Sequence, residues 1–543
     1  LCAEVTLDVL IRGGTVFDGG GAPGIAVDVA IQDGRVVAMA SGDALSGAVA
    51  EVKIDASGHY VTPGFIDIHT HSDRTILVNP RMESKIRQGV TTEIGGNCGS
   101  GVAPALGEAV PRAKQGGKAG SAIEDQTWPT MAAYFEHIER AGIAGNYATW
   151  CGHGTLRAST LGYAMRAPTA DEQAQMERLL RESLEAGAFG LSTGLIYVPS
   201  GYAQTEEIAR LAVVVREYGG LYTSHIRNEA SGLLEAVEEA LEIGRQGGVA
   251  VQIAHHKAAG RGNWGKVNES LALMERARDE GIDVACDQYP YVASSTGLSS
   301  ILPTWALEGG REQLVARLGD ATQRGTIRQE MVETRPEWGS LIEGQGWHNV
   351  LIARCPSDPA AQGRRLGDLA GERGADPFDL TFDLLVANVG NVGCIFFSMS
   401  EDDVRTVMRW KHTMIGSDAN SVAPYGQLGD GKPHPRSYGT FARVLGHYVR
   451  EEGILTWETA IHKMTGQPAA RLGLKDRGLL REGQWADVTV FDPETVADEA
   501  TFIDPHRYAT GIAHVLVNGV PVIRDGEHTG SLSGRLLRRG VDS

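Results

Sequence analysis

Six side chains spread along the chain are of the types that hold a transition metal: His69, His71, Cys98, His225, His255 and Asp418. His69 and His71 flank Thr70 at the end of an apolar run, residues 65–68. Two residues apart on an extended chain, both imidazoles point to the same side and can share one ion. Cys98 lies in the glycine-rich turn Gly95-Gly-Asn-Cys-Gly-Ser-Gly101, and His225 opens Ser224-His-Ile-Arg-Asn-Glu229. His255 leads His255-His-Lys257, where His256 points the other way, and Asp418 closes Gly416-Ser-Asp418. Thiolate, imidazole and carboxylate donors together suit Zn²⁺. Each residue also has an ordinary reading. A lone Cys packs as a small apolar group, an Asp caps a helix, and a His sits satisfied in a core. What those readings leave unexplained is that every one of the six follows a predicted strand.

The strands that must position them are short and apolar, at residues 65–68, 91–94, 145–149, 188–191, 220–224, 249–254, 282–287 and 413–416. Longer amphipathic stretches lie among them, as at 170–186, 205–218 and 231–246. Strand–helix alternation implies a parallel sheet, and eight such strands predict an α/β fold, a (β/α)8 TIM-type barrel whose active site gathers at the C-terminal strand ends. Residues 1–61 and 473–543 have a different texture, with short alternating strands punctuated by glycine. Both ends are therefore expected to build one small β domain, leaving 62–472 to the barrel. Within it, about 292–411 reads as an insertion over the barrel mouth, and 107–121 as an exposed loop.

The chain has 543 residues, 42% hydrophobic and 22% charged, which is ample for a large core. Its formal charge of −18 argues against a nucleic-acid or anionic-membrane surface. No apolar run is long enough to span a bilayer, and six scattered cysteines make no disulfide framework. A cytoplasmic setting is expected. An exported form is the alternative, because Cys2 lies where a trimmed export signal would leave a cysteine.

These residues resemble a known family. Gly64-Phe-Ile-Asp-Ile-His-Thr-His71, Gly96-Asn-Cys-Gly99, Ser192-Thr-Gly-Leu-Ile-Tyr197, Gln288-Tyr-Pro-Tyr291, Pro433-His-Pro-Arg-Ser-Tyr-Gly-Thr440 and the returning segment Gly478–Phe491 look like the amidohydrolase superfamily. Within it, the chain is similar to the N-acyl-D-amino-acid deacylases (D-aminoacylases). Many amidohydrolases bridge two metals with a carboxylated lysine at the fourth strand. Here that strand ends in Leu191-Ser-Thr-Gly-Leu195, while a Cys follows the second strand.

The resemblance implies a barrel joined to a small β-sandwich made by both termini, and hydrolysis of N-acyl-D-amino acids to a carboxylate and a free D-amino acid. It implies one tight zinc on Cys98, His225 and His255, with a weaker site on His69 and His71 near Asp418. Asp418 would serve as general base and then general acid. Arg436, Lys257, Tyr289 and Ser295 become candidates for holding the substrate's α-carboxylate, with Tyr197 near the reacting carbonyl. An Arg fork suits a carboxylate because it makes two parallel bonds. One departure from the family pattern is the long stretch 419–432, whose path decides whether Arg436 reaches the site. Rival readings are a hydantoinase-like cyclic amidase, a dipeptidase acting on a C-terminal D-residue, and a non-catalytic scaffold. The first needs the missing lysine, the second an acidic group for an ammonium, and the third should have lost the ligand set.

Overall fold

The computed structural model describes residues 6–42, 44–110, 126–333 and 346–543. Most of the predicted loop 107–121 lies outside the described residues, as does Cys2.

Nine parallel strands run in chain order through two sheets. The first holds Phe65–Asp67, Val90–Gly95 and Asn146–Thr149. The second holds Cys151–Gly152, Gly190–Gly194, Leu221–His225, Ala250–Ile253, Val284–Gln288 and Thr413–Ile415. They correspond to the eight expected strands, with the third divided at Trp150, whose N–H still donates to Gly95 O at 3.1 Å. At the opposite edges, Thr70 bridges Ala419 in the parallel sense. Nearly every residue of these strands is buried, the pattern of parallel strands covered on both faces.

The covering helices follow the amphipathic stretches: Ala170–Glu185, Thr205–Glu217 and Leu233–Gly247. Thr169 and Glu172 cap the first of them reciprocally, each side chain accepting from the other residue's backbone N–H. Leu179, Leu180, Ile208, Leu211, Val237 and Leu241 then bury their faces in the main core.

Both ends of the chain meet in one seven-stranded sheet. Ile512–Val517 pairs with Val488–Phe491, which pairs with Tyr60–Pro63, followed by Thr15–Val16. Ile512–Val517 and Val520–Arg524 form a hairpin turning at Asn518-Gly519. A four-stranded sheet containing Leu7–Arg12 shares a core with it through Val9, Ile11, Val488, Val490 and Leu516. Aromatic rings tie this part to the first parallel strand: Phe65 lies 5.8 Å from Phe441 and 6.4 Å from Phe491. Such pairs are worth about 0.5–1.5 kcal/mol each beyond area burial, so the strand that delivers His69 is anchored at its start.

Residues 294–396 carry a separate antiparallel sheet, Ser294–Gly297, Gly393–Phe396 and Val350–Arg354, with its own core of Leu298, Leu318, Ile352, Leu366 and Phe382. Its first strand places Ser295 and Thr296 beside the ends of the parallel strands. Among the described residues no helix is long and apolar enough to cross a membrane.

Candidate metal centre

The six candidate ligands all lie at the C-terminal ends of parallel strands or in the turns that follow them. Three occupy the left-handed backbone region that non-glycine residues seldom adopt: Cys98 at φ 52°, His255 at φ 35° and Asp418 at φ 51°. Such conformations persist where the surroundings over-determine them. The His255 N–H donates to Asp287 Oδ1 at 2.7 Å and the Asp418 N–H to His69 O at 2.8 Å. The Cys98 turn leans on the fourth strand end, where a Cβ at Gly194 would stand 2.2 Å from Cys98 O. Ser192 from that strand accepts from the Gly99 N–H at 3.1 Å and donates to Gly96 O. The end of the fourth strand thus braces the cysteine loop.

Cys98 Sγ stands 3.4 Å from His69 Nε2 and 3.4 Å from His255 Nε2. One ligand atom from each of His69, Cys98, His255 and Asp418 lies within 4.8 Å of all the others, and all four residues are buried. His225, Glu229 and His255 form a second, overlapping group of the same span. The compact foursome therefore draws on both sets implied by the family resemblance. His69 sits against Cys98, while His71 turns its Nε2 to Asp418 Oδ1 at 2.9 Å.

The outer nitrogens of the two inner histidines are engaged by carboxylates. His69 Nδ1 meets Asp287 Oδ1 at 2.9 Å, and His255 Nδ1 meets Glu229 Oε1 at 3.0 Å. At His69, with Nδ1–H donated to Asp287, Nε2 is left as a lone-pair donor facing Cys98, the arrangement that orients metal-ligating imidazoles. His255 Nδ1 also meets the Lys257 ammonium at 2.7 Å. Neither carboxylate was singled out from the sequence. Asp287 closes a predicted strand to which no ligand was assigned, and Glu229 ends the His225 motif; a buried acid at a strand lip was the available signal.

Electrostatics favour the anionic forms of Cys98 and Asp418, and against burial the same anions raise the His69, His71 and His255 imidazoles above the usual value. Burial would raise the Cys98 thiol, but the His69 and His255 imidazoles outweigh it and hold Cys98 well below the usual thiol value. Burial would likewise raise Asp418, yet the Arg436 guanidinium and His255 hold its carboxyl well below the usual range. The residues fit a zinc ion in donor chemistry. They fit it also in a specific deficit: both ring nitrogens of His225 are buried with no hydrogen-bond partner. Such a group costs about 1–3 kcal/mol unless something occupies it, and a ligated ion would.

A cavity of about 340 Å³ opens over this cluster, lined by His71, Cys98, Tyr197, Ser295, Asp418 and Arg436 among others. The stretch 419–432 does not carry Arg436 away: Arg436 Nη1 lies 2.9 Å from Asp418 Oδ2. That contact is an ion pair without hydrogen-bond alignment, so Nη1 keeps no aligned acceptor. The Pro433-His-Pro-Arg436 turn is locked by His434, whose Nε2–H donates to Ala293 O at 2.9 Å while Nδ1 accepts the Arg436 N–H at 3.0 Å. Arg436 also stacks over the Tyr289 ring, 4.6 Å from its centroid. Tyr197 accepts from the Thr296 hydroxyl at 3.0 Å and lies edge-on to His225.

Two candidates for the carboxylate clamp sit elsewhere. The Lys257 ammonium is buried behind the ligands, donating to Glu229 Oε1 at 2.5 Å and lying 2.7 Å from His255 Nδ1. Tyr289 is buried, its hydroxyl directed at Met399 Sδ at 3.7 Å. His256 bonds Ser270 at 2.8 Å, away from the cluster.

Comparison with known proteins places this geometry. Residues 53–523 match the model of the amidohydrolase family. The chain is 40% identical over 537 residues to D-aminoacylase of Alcaligenes xylosoxydans xylosoxydans, covering 98% of each chain. It is 40% identical over 534 residues to N-acyl-D-glutamate deacylase of the same organism, covering 98% of this chain and 97% of that one. Among solved structures, N-acyl-D-glutamate deacylase from Bordetella bronchiseptica, complexed with zinc and a phosphonate inhibitor, superposes with a TM-score of 0.81 at 37% identity. That match covers 98% of this chain and 100% of the other.

Proposed function

Since this chain belongs to the amidohydrolase family, we propose that it is a zinc-dependent deacylase that hydrolyses N-acyl-D-amino acids to a carboxylate and a free D-amino acid. The observation that carries this reading is the buried Cys98, His69, His255 and Asp418 cluster, opening into a cavity whose wall bears an arginine with an unaligned N–H. On this reading the parallel strands close into a (β/α)8 barrel over about 62–472, and residues 1–61 and 473–543 make the small β-sandwich. The five described cysteines are free, which supports a reducing, cytoplasmic setting.

Cys98, His69, His225 and His255, with Asp418, are the residues to hold zinc, and His71 lies at the edge of the set. Bound there, zinc supplies a Lewis acid that acidifies water and polarises the amide carbonyl. The chain's own groups do the rest. Asp418 is ionised and reaches the cavity, so it can accept a proton from the attacking water and hand it to the departing amine. Asp287 and Glu229 keep the His69 and His255 rings turned so that Nε2 faces the ion. Arg436, Ser295 and Tyr197 all line the cavity, and Arg436 is the charged donor for a substrate α-carboxylate.

Arg436→Met tests the carboxylate clamp. Because Arg436 also pairs with Asp418, some loss is expected on every substrate. The loss special to the clamp is a fall of about 2–5 kcal/mol in kcat/KM for N-acyl-D-amino acids beyond that for the matching N-acyl-D-amino-acid amides, the range for breaking a buried charge pair. Steady-state kinetics on both substrates, with zinc content unchanged, read it out. Equal losses would confine Arg436 to supporting Asp418.

A further inference from the structure

Lys85 lies on the four-residue helix Glu83–Ile86 and is wholly buried. An ammonium has three N–H donors and no acceptor, and here each finds a partner. Lys85 Nζ donates to Asp67 Oδ2 at 2.7 Å, to the Ser417 hydroxyl, and to Ala419 O at 3.2 Å. Two of those partners are the residues immediately before and after Asp418. Asp67 ties the same knot from its other oxygen, Oδ1, which accepts the Ser417 N–H at 2.8 Å. The Asp67 carboxylate compensates the buried ammonium, and Glu93 stands 4.0 Å from Nζ, its carboxyl pushed up to about 7 by burial.

The ties continue past Asp418. The Ser421 N–H donates to Ser72 Oγ at 2.7 Å, and Ser72 in turn donates to Glu93 Oε2 at 2.5 Å. Ser84, the neighbour of Lys85, accepts the Val422 N–H at 2.9 Å and donates its own N–H to Val422 O at 3.2 Å. One short helix and the acids around it therefore grip the chain from 417 to 422. In the middle of the gripped segment, Asp418 is held at φ 51°. An aspartate adopts that conformation only occasionally, and here the gripped neighbours on either side hold it there.

We infer that Lys85, acting through Ser417 and Ala419, is a positioning residue that holds the Asp418 backbone where its carboxylate faces the attacking water. This rests on the reading of Asp418 as the general base. Lys85 does not line the cavity; its effect is to fix the direction of a side chain carried by the residue between its two contacts. A misplacement of about 1 Å can cost on the order of 10²-fold in rate.

The test compares Lys85→Met, Ser417→Ala and Asp418→Asn in the zinc-loaded enzyme, measuring zinc per chain, kcat and KM. Ser417→Ala removes one hydroxyl and keeps the Lys85–Asp67 pair, so it carries the test even if Lys85→Met fails to fold. The expected result is a lower kcat with zinc stoichiometry and KM nearly unchanged. The fall should be several-fold for Ser417→Ala and on the order of 100-fold for Lys85→Met. Unchanged turnover per zinc-loaded chain, beside a disabled Asp418→Asn, would overturn the inference alone. Turnover lost only in step with zinc would also overturn it, since Lys85 would then support the ligands. If Asp418→Asn keeps its turnover, the base assignment falls and this inference falls with it.

Discussion

Asp418→Asn is expected to lower kcat by about two to four powers of ten, the usual scale of general acid–base catalysis. The substitution is nearly isosteric and keeps an oxygen where Asp418 Oδ1 faces His69 and His71. What it removes is the capacity to take a proton from water and return it to the amine. In the wild-type chain Arg436, 2.9 Å away, and the surrounding imidazoles keep Asp418 ionised despite its burial. The acid is thus ready as a base before substrate binds. Zinc held by Cys98, His69, His225 and His255 is expected to remain, so the variant should be metal-replete and nearly inactive. Single-turnover kinetics with zinc analysis separates the two. A fall of less than about tenfold in a metal-replete variant lies outside the general-base scale and would mean that another group takes the proton.

Cys98→Ala should have a comparably large effect by a different route. Cys98 Sγ lies between His69 Nε2 and His255 Nε2, 3.4 Å from each, and is the one soft, anionic donor in the set. Its removal leaves the imidazoles of His69, His225 and His255 and the Asp418 carboxylate around a site that was built for a thiolate. The loss in zinc affinity should exceed the roughly 10–100-fold that follows removal of an outer partner, and activity should fall with occupancy. Equilibrium dialysis against zinc, followed by assay at saturating metal, is the measurement. Stoichiometric zinc with wild-type turnover in Cys98→Ala would remove the cysteine from the centre.

The parallel strands were legible because each is an apolar run bounded by glycine or by a helix cap. Their ends moved by up to three residues, and the third strand broke at Trp150, where no change in the sequence pattern marks the interruption. The stretch of about 292–411 read as an insertion because of its length between strands. Its three-stranded sheet was not legible, because antiparallel pairing between Ser294–Gly297 and Gly393–Phe396 joins segments about a hundred residues apart. At the site, residue types and a period-2 rule indicate which side chains can face the cavity. They do not indicate that His69 Nε2 lies 3.4 Å from Cys98 while both ring nitrogens of His225 go without a hydrogen-bond partner, because that depends on how neighbouring strand ends are staggered. Lys257 read as a cation for substrate, and burial beside Glu229 turns it instead toward His255. Lys85 escaped notice for a simpler reason. It sits in a four-residue helix with no periodicity, and its partners at Asp67 and Ser417 are far from it in sequence.

The central claim is that zinc in this centre drives hydrolysis of N-acyl-D-amino acids. The most direct measurement is amine release from paired N-acetyl-D- and N-acetyl-L-amino acids by the zinc-loaded protein, by the chelated protein, and by the chelated protein restored with zinc. The expected result is release of the D-amino acid alone, its loss on chelation and its return with zinc. Release that survives complete removal of metal, or that favours the L-substrates, would contradict it.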